Sequence, residues 1–118
     1  MAETYGWTRL TQGAGFLEAD LALESFPWVK PVQSGFRAVW SLQGVVEGRL
    51  GDPMSGPVTL IEEGRHSISP GETGRVAIHP LNVDRWRGVA PGTQLVLRAR
   101  GGRELGRATI SRVVGDPL

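Results

Sequence analysis

Cysteine is absent from the 118 residues of this sequence. Its absence excludes disulfide bonds, thiolate catalysis, cysteine-ligated zinc and iron–sulfur clusters, and it fits a reducing compartment. Long apolar runs are also missing, because nowhere do 18 apolar residues follow one another, and a membrane span needs about that many. Residues 1–15 lack the apolar core of a signal peptide. We therefore expect a cytoplasmic protein without a membrane partner.

An excess of charge of one sign is lacking too. Thirteen basic and 12 acidic residues give a formal net charge of +1, so net charge alone would not capture a polyanion. Lysine is nearly missing: Lys30 is followed by Pro31, and every other basic residue is arginine. A G-x-x-x-x-G-K-[ST] phosphate loop cannot be built from this lysine, which excludes GTP hydrolysis.

The sequence does contain many short apolar stretches separated by glycine and proline, of which there are 17 and 8. In residues 16–23 apolar and polar side chains alternate, the two-residue period of a half-buried strand. Trp40 lies on the apolar face of a second such run and is expected in the core. The predicted strands cover residues 16–23, 36–42, 45–50, 57–61, 75–79, 93–99 and 104–114.

Strands this short, spaced about ten residues apart, are typical of an all-β barrel or sandwich. We predict a closed six- to seven-stranded antiparallel β-barrel over residues 15–118, preceded by a loosely ordered leader over residues 1–14. Gly101 and Gly102 are expected to form a hairpin turn, since paired glycines tolerate positive φ. Residues 81–89 hold the only predicted helical turn.

Several segments, in order and with near-correct spacing, resemble the C-terminal (third) barrel domain of elongation factor Tu. The resemblance covers about residues 16–114 and implies a six-stranded antiparallel barrel. It does not imply GTPase activity, which in that family belongs to a separate domain. The matching residues are Phe16, Glu18 and Ala19; Ser34, Gly35, Phe36 and Arg37; Pro70, Gly71 and Glu72; Ile78, His79 and Pro80; and Gly101, Gly102, Arg103, Glu104, Leu105 and Gly106.

The resemblance also implies partners. In the family this barrel helps to bind the T stem of aminoacyl-tRNA and contacts a nucleotide-exchange factor. Gly101 and Gly102 match the glycine pair beside the family's tRNA contacts, but the basic stretch before them is one residue longer here. The loop after the first strand, residues 24–31, has Lys30 as its only cation instead of the family's arginine-histidine pair. A protein or RNA partner is expected, with tRNA as one possibility.

Two segments are candidates for binding that partner. The last hairpin has the densest basic group, although an ordinary solvated strand face would look the same. A loop around Trp86 places arginines on both sides of an indole, which favours either base stacking or a cation–π contact within the chain. Trp28 lies in another loop, and for both Trp28 and Trp86 a further choice stays open: an exposed stacking platform, or a ring that closes the core at a barrel end. The predicted partner-binding residues are Arg98, Arg100, Gly101, Gly102, Arg103, Arg85, Trp86 and Arg87.

The sequence gives no support for catalysis. No nucleophile, base and orienting group can be placed together, and His66 and His79 have no metal-ligand spacing. We therefore expect a non-catalytic binding module with no catalytic residues, metal or cofactor. Two alternatives stay open: a small-ligand or enzymatic barrel with its site at the barrel mouth near His79, and a structural or inhibitory mimic of the translation factor's barrel.

Overall fold

The computed structural model describes residues 15–42, 54–81, 83–99 and 101–118. They form an antiparallel all-β fold with a seven-stranded and a two-stranded sheet. In that part of the chain no helix is long and apolar enough to cross a membrane. The strands are β1 (Gly15–Leu23), β2 (Val32–Gln33), β3 (Val39–Leu42), β4 (Met54–Ser55), β5 (Val58–Leu60), β6 (Ser67–Ile68), β7 (Thr73–Ile78), β8 (Gln94–Arg98) and β9 (Glu104–Gly115).

Strands β1 and β9 form the middle of the large sheet, whose order is β4-β3-β8-β9-β1-β7-β5. The apolar alternation of β1 places Leu17, Ala19 and Leu21 in the core, as the two-residue period predicts. The ladder between β1 and β9 shifts register between Glu18 and Ala19. Such a bulge sharpens the local twist and helps a sheet to curl.

The large sheet is a curled half-barrel, and the prediction of a closed barrel needs correction. Its terminal strands, β4 and β5, form no ladder with each other. They are consecutive in the chain, separated only by Gly56 and Pro57. Because Pro57 lacks an amide hydrogen, it interrupts the regular hydrogen bonding of the extended segment that contains both strands.

The segment between these strands nevertheless hydrogen-bonds on both sides. The amides of Gly56 and Val58 donate to the carbonyls of Ala38 (3.0 Å) and Phe36 (3.1 Å). On the opposite side, the amides of His79 and Leu81 donate to the carbonyls of Pro57 (3.0 Å) and Ser55 (2.9 Å). We call residues 54–60 the seam, because they connect the two margins of the sheet.

Two buried tryptophans support the seam. The indole N–H of Trp40 donates to the Gly56 carbonyl at 2.9 Å, and that of Trp86 donates to the Ser55 carbonyl at 3.2 Å. A side chain at Gly56 would meet the Trp86 ring at 2.7 Å. The core position predicted for Trp40 is therefore confirmed, since its side chain is fully buried.

The small sheet, β2 with β6, was not predicted from the sequence. It is too short to show alternation, and side-chain contacts from the neighbouring loops stabilise it. The Ser34 hydroxyl accepts from the Leu60 amide at 2.9 Å. Arg65 donates to the carbonyls of Ser67 (3.0 Å) and Thr73 (2.9 Å) and pairs with Glu72 at 3.0 Å. One guanidinium thus holds together the loops on either side of β6.

The other predicted elements agree with the structure, apart from their ends. The helical turn is a 3-10 helix, Val83–Trp86, and the turn at Gly101 and Gly102 has φ of 93° and 92°. The second predicted strand is shorter than expected, with β3 beginning at Val39. The predicted leader over residues 1–14 and the strand over residues 45–50 lie outside the described residues.

Gly106 shows why one glycine of the last hairpin is needed. It lies between Leu97 of β8 and Leu23 of β1. A Cβ at this position would approach the Ala22 carbonyl oxygen to 2.5 Å and the Leu23 Cα to 3.1 Å. Both atoms belong to the backbone of a central strand, so a larger residue would push strands apart.

We therefore expect Gly106→Ala to lower the free energy of unfolding by about 2–3 kcal/mol, the usual effect of overpacking a core. Thr109→Ala, at an exposed position of the same strand, is the control and should cost about 1 kcal/mol or less. Urea denaturation followed by circular dichroism measures both. Equal losses in the two variants would contradict the close approach at Gly106.

Candidate functional site

A groove of about 740 Å³ opens between three segments of the described chain. They are the loop after β1, the stretch leading into β3, and the β8–β9 hairpin. The Glu24 amide donates to the Leu105 carbonyl at 2.9 Å, which ties the first segment to the third. The residues that line the groove are Leu23, Trp28, Lys30, Pro31, Val32, Phe36, Arg37, Val39, Arg98, Ala99, Gly101, Gly102 and Leu105.

The groove concentrates positive charge. Lys30, Arg37 and Arg98 belong to its lining, and none of the described residues that line it is acidic. This contrasts with the near balance of the whole chain, whose net charge is +1. Local clustering produces an attractive potential for anions that the total charge would not.

An aromatic pair stands at the groove. The rings of Phe26 and Trp28 stack with centroids 4.7 Å apart and an interplanar angle of 24°. Each residue remains 42% exposed. The Arg103 guanidinium lies over the Trp28 ring, 5.0 Å from its centroid, and the indole N–H donates a long bond of 3.4 Å to the Glu104 carbonyl. Of the two interpretations of Trp28, the structure supports the exposed indole.

The predicted hairpin residues lie at this groove, with one exception. Arg98, Gly101 and Gly102 line it, and Arg103 reaches it through Trp28. Arg98 also braces the turn, because its guanidinium donates to the Gly102 carbonyl at 3.0 Å and to the Ser41 hydroxyl at 3.2 Å. The fifth predicted residue, Arg100, lies outside the described residues.

The rest of the basic group on the last strand is engaged elsewhere. Arg107 pairs with Glu104 at 2.8 Å, and the hydrogen bond from Arg107 is the main reason that the pKa of Glu104 is lowered. The same bond raises the pKa of Arg107. Arg112 pairs with the largely buried Glu18 at 3.1 Å. These two arginines form the solvated, paired strand face that was the alternative interpretation.

The predicted contribution of Trp86 to partner binding must be corrected. Its side chain is 0% exposed, and its indole N–H is shared between the carbonyls of Leu81 (3.1 Å) and Ser55 (3.2 Å). Arg87 pairs with Asp84 at 3.0 Å. Neither these residues nor Arg85 belong to the described lining of the groove. Trp86 therefore closes the core and presents no ring to a partner.

His79, the centre of the alternative enzymatic hypothesis, is nearly buried. It is 8% exposed, its Nε2 lies 3.1 Å from the Thr59 hydroxyl, and burial lowers its pKa from 6.5 to about 4. It is not part of the groove lining. Among the described residues no three His, Asp or Glu side chains come together as a metal site. The geometry fits a neutral structural histidine.

The residues that sequence reasoning missed are Phe26, Phe36, Lys30 and Arg37. Lys30 and Arg37 looked isolated, because the other basic residue of the groove lining, Arg98, is far away in sequence. The signal that was available is the Phe26-Pro27-Trp28 tripeptide, which places two large aromatics close together in a loop. No protein-family model matches the chain, and no curated protein matches it.

The buried His79 gives a pH prediction. Its pKa is lower in the folded protein than in the unfolded chain, so the unfolded chain binds the proton more tightly. The stabilisation is complete above pH 6.5 and is lost as the pH falls towards 4. One pKa unit corresponds to ~1.4 kcal/mol, and after allowance for solvent screening we expect a loss on the order of 2 kcal/mol.

The measurement compares urea denaturation of the wild type and His79→Gln at pH 7 and pH 4.5. The variant cannot titrate at this position and should lose less stability over that interval. Acidic residues contribute equally to both proteins, which makes the difference specific to His79. Identical pH dependence in the two proteins would show that the imidazole is not held neutral.

Proposed function

We propose that this protein is a non-catalytic binding module that holds an RNA or protein partner in the groove. The observation that carries the proposal is the convergence of three basic side chains and an exposed aromatic residue, Trp28, on one concave surface lined by no described acidic residue. Exposed aromatic and arginine side chains are the residue types that contribute most to binding interfaces. An exposed stacked pair is costly in water unless a partner covers it.

Kinship with the translation-factor barrel is part of this proposal. In that family the loop after the first strand and the last hairpin contribute to partner binding, and here the corresponding segments, residues 24–31 and 98–105, meet at the groove. The hydrogen bonds on both sides of the seam support this kinship, because they join both margins of the half-barrel to one segment, although no regular ladder closes it. A cytoplasmic location, with no GTP and no membrane, belongs to the same proposal.

The groove also supports a binding role better than a catalytic one. Its lining combines three cationic and two aromatic side chains with apolar ones, which suits recognition of charge and shape. Proton transfer is most efficient with a group whose pKa lies near the working pH, whereas His79 lies outside the groove lining and burial lowers its pKa to about 4. We accordingly propose binding as the activity of the module, with no reaction of its own.

The test is affinity capture from a lysate of the source cells with immobilised wild type, Arg37→Glu and Arg87→Glu. Both substitutions reverse one exposed arginine, but only Arg37 lines the groove. We expect Arg37→Glu to recover at least fivefold less of the bound partner than the wild type, and Arg87→Glu to recover the same amount. A ribonuclease-treated lysate, run in parallel, distinguishes RNA from protein. Equal recovery by all three proteins would refute the groove as the binding site.

A further inference from the structure

We infer that the groove binds single-stranded nucleic acid, with one base stacked at the Phe26–Trp28 pair and the adjoining phosphates held by basic side chains of the groove. The inference rests on the proposed function and names the class of partner.

The aromatic pair is positioned in advance. The Val29 amide donates to the Phe26 carbonyl at 3.0 Å, and the Val29 side chain is buried in the core. This turn fixes the two rings in their stacked arrangement and leaves both exposed. A flat, rigid and accessible ring is what an unpaired base needs, because every base has a π-face and stacking tolerates any sequence.

Arg103 now covers part of the position that a base would take. Its guanidinium lies 5.0 Å from the Trp28 centroid, and the residue is exposed. An exposed cation–π contact is weaker than base–aromatic stacking, so a base can displace the guanidinium. Once displaced, Arg103 stays close enough to pair with a phosphate of the same nucleotide.

The other cations line the groove from two directions. Lys30 follows the aromatic pair in the same loop, whereas Arg37 and Arg98 belong to the segments across the groove. Phosphates on either side of a stacked base would face cations on both walls. None of the described lining residues is acidic, and the nearby Glu104 carboxylate is paired with Arg107 at 2.8 Å. A folded protein surface with mixed charges would not match this arrangement as well.

Arg37 and Val39 also line a second cavity of about 370 Å³, whose other walls include Pro57 and Leu81. The two cavities therefore adjoin at Arg37. A single strand that places one base at Trp28 can pass a phosphate across Arg37 and continue into the second cavity. A duplex cannot do this, because its bases are already stacked and paired, and so we expect the groove to prefer unpaired strands.

The test is a binding titration by fluorescence anisotropy with labelled eight-nucleotide oligouridine and oligothymidine, and with a blunt duplex as the comparison. The proteins are the full chain, Trp28→Ala, Trp28→Phe and Arg37→Gln, with Arg87→Gln as the matched control. We expect the single strands to bind at least tenfold more tightly than the duplex. If three or four phosphates are contacted, the slope of log affinity against log salt should be about −2 to −3.

Trp28→Ala should weaken binding roughly tenfold or more, the usual effect of removing a stacking ring. Trp28→Phe should keep most of the affinity, Arg37→Gln should weaken binding and lower the salt slope by about 0.7, and Arg87→Gln should have no effect. Circular dichroism verifies that each variant is folded. The RNA and DNA arms show whether the sugar matters.

Two results would overturn the inference. One is a duplex that binds as tightly as the single strands. The other is no single-strand binding at a protein concentration 100-fold above a micromolar dissociation constant. If the oligonucleotides fail while capture from lysate still depends on Arg37 and resists ribonuclease, the partner is a protein. The proposed function then stands and this inference does not. If capture is also independent of Arg37, both fail.

Discussion

The structure depends on the seam, the segment that hydrogen-bonds to both margins of the curled sheet. Seven antiparallel strands that curl without closing would leave two edges of unpaired amides and carbonyls, which attract other chains. Here one stretch of backbone uses its two sides to satisfy both margins. The indole of Trp40 donates to the Gly56 carbonyl, and the indole of Trp86 adds a second donor to the Ser55 carbonyl. Gly56 permits this because its missing Cβ leaves room for the Trp86 ring.

The groove depends on this arrangement. Its wall before β3 contains Phe36, whose carbonyl accepts from the Val58 amide of the seam. The facing hairpin is braced by Arg98 through Ser41, a buried residue of β3. The aromatic loop is tied to the same hairpin through Glu24 and Leu105. A groove whose walls are fixed in advance loses little conformational freedom on binding, so more of its contact energy contributes to affinity.

Much of the fold follows from local sequence. The alternation of β1 and β9, the glycine turn at residues 101 and 102, and the core position of Trp40 all follow from periodicity and turn chemistry. The half-barrel geometry, β2 and β6 do not, because they depend on single contacts distant in sequence, such as Ser34 with Leu60. Trp86 was assigned to a binding loop because burial of a loop indole depends on two carbonyls that sequence periodicity cannot locate. The sequence predicted one part of the groove, the hairpin residues, whereas Lys30 and Arg37 join them only when the chain folds.

Native-state amide exchange by NMR tests the central claim most directly, namely that the seam fixes the groove walls. The amides of Gly56, Val58, His79 and Leu81 should be protected to a similar degree as those of β1 and β9, since they would open only when the whole domain unfolds. If these four amides exchange as fast as exposed loop amides while β1 and β9 stay protected, the margins of the sheet are not joined. The groove would then exist in only one conformation of the protein and would not be a preformed site.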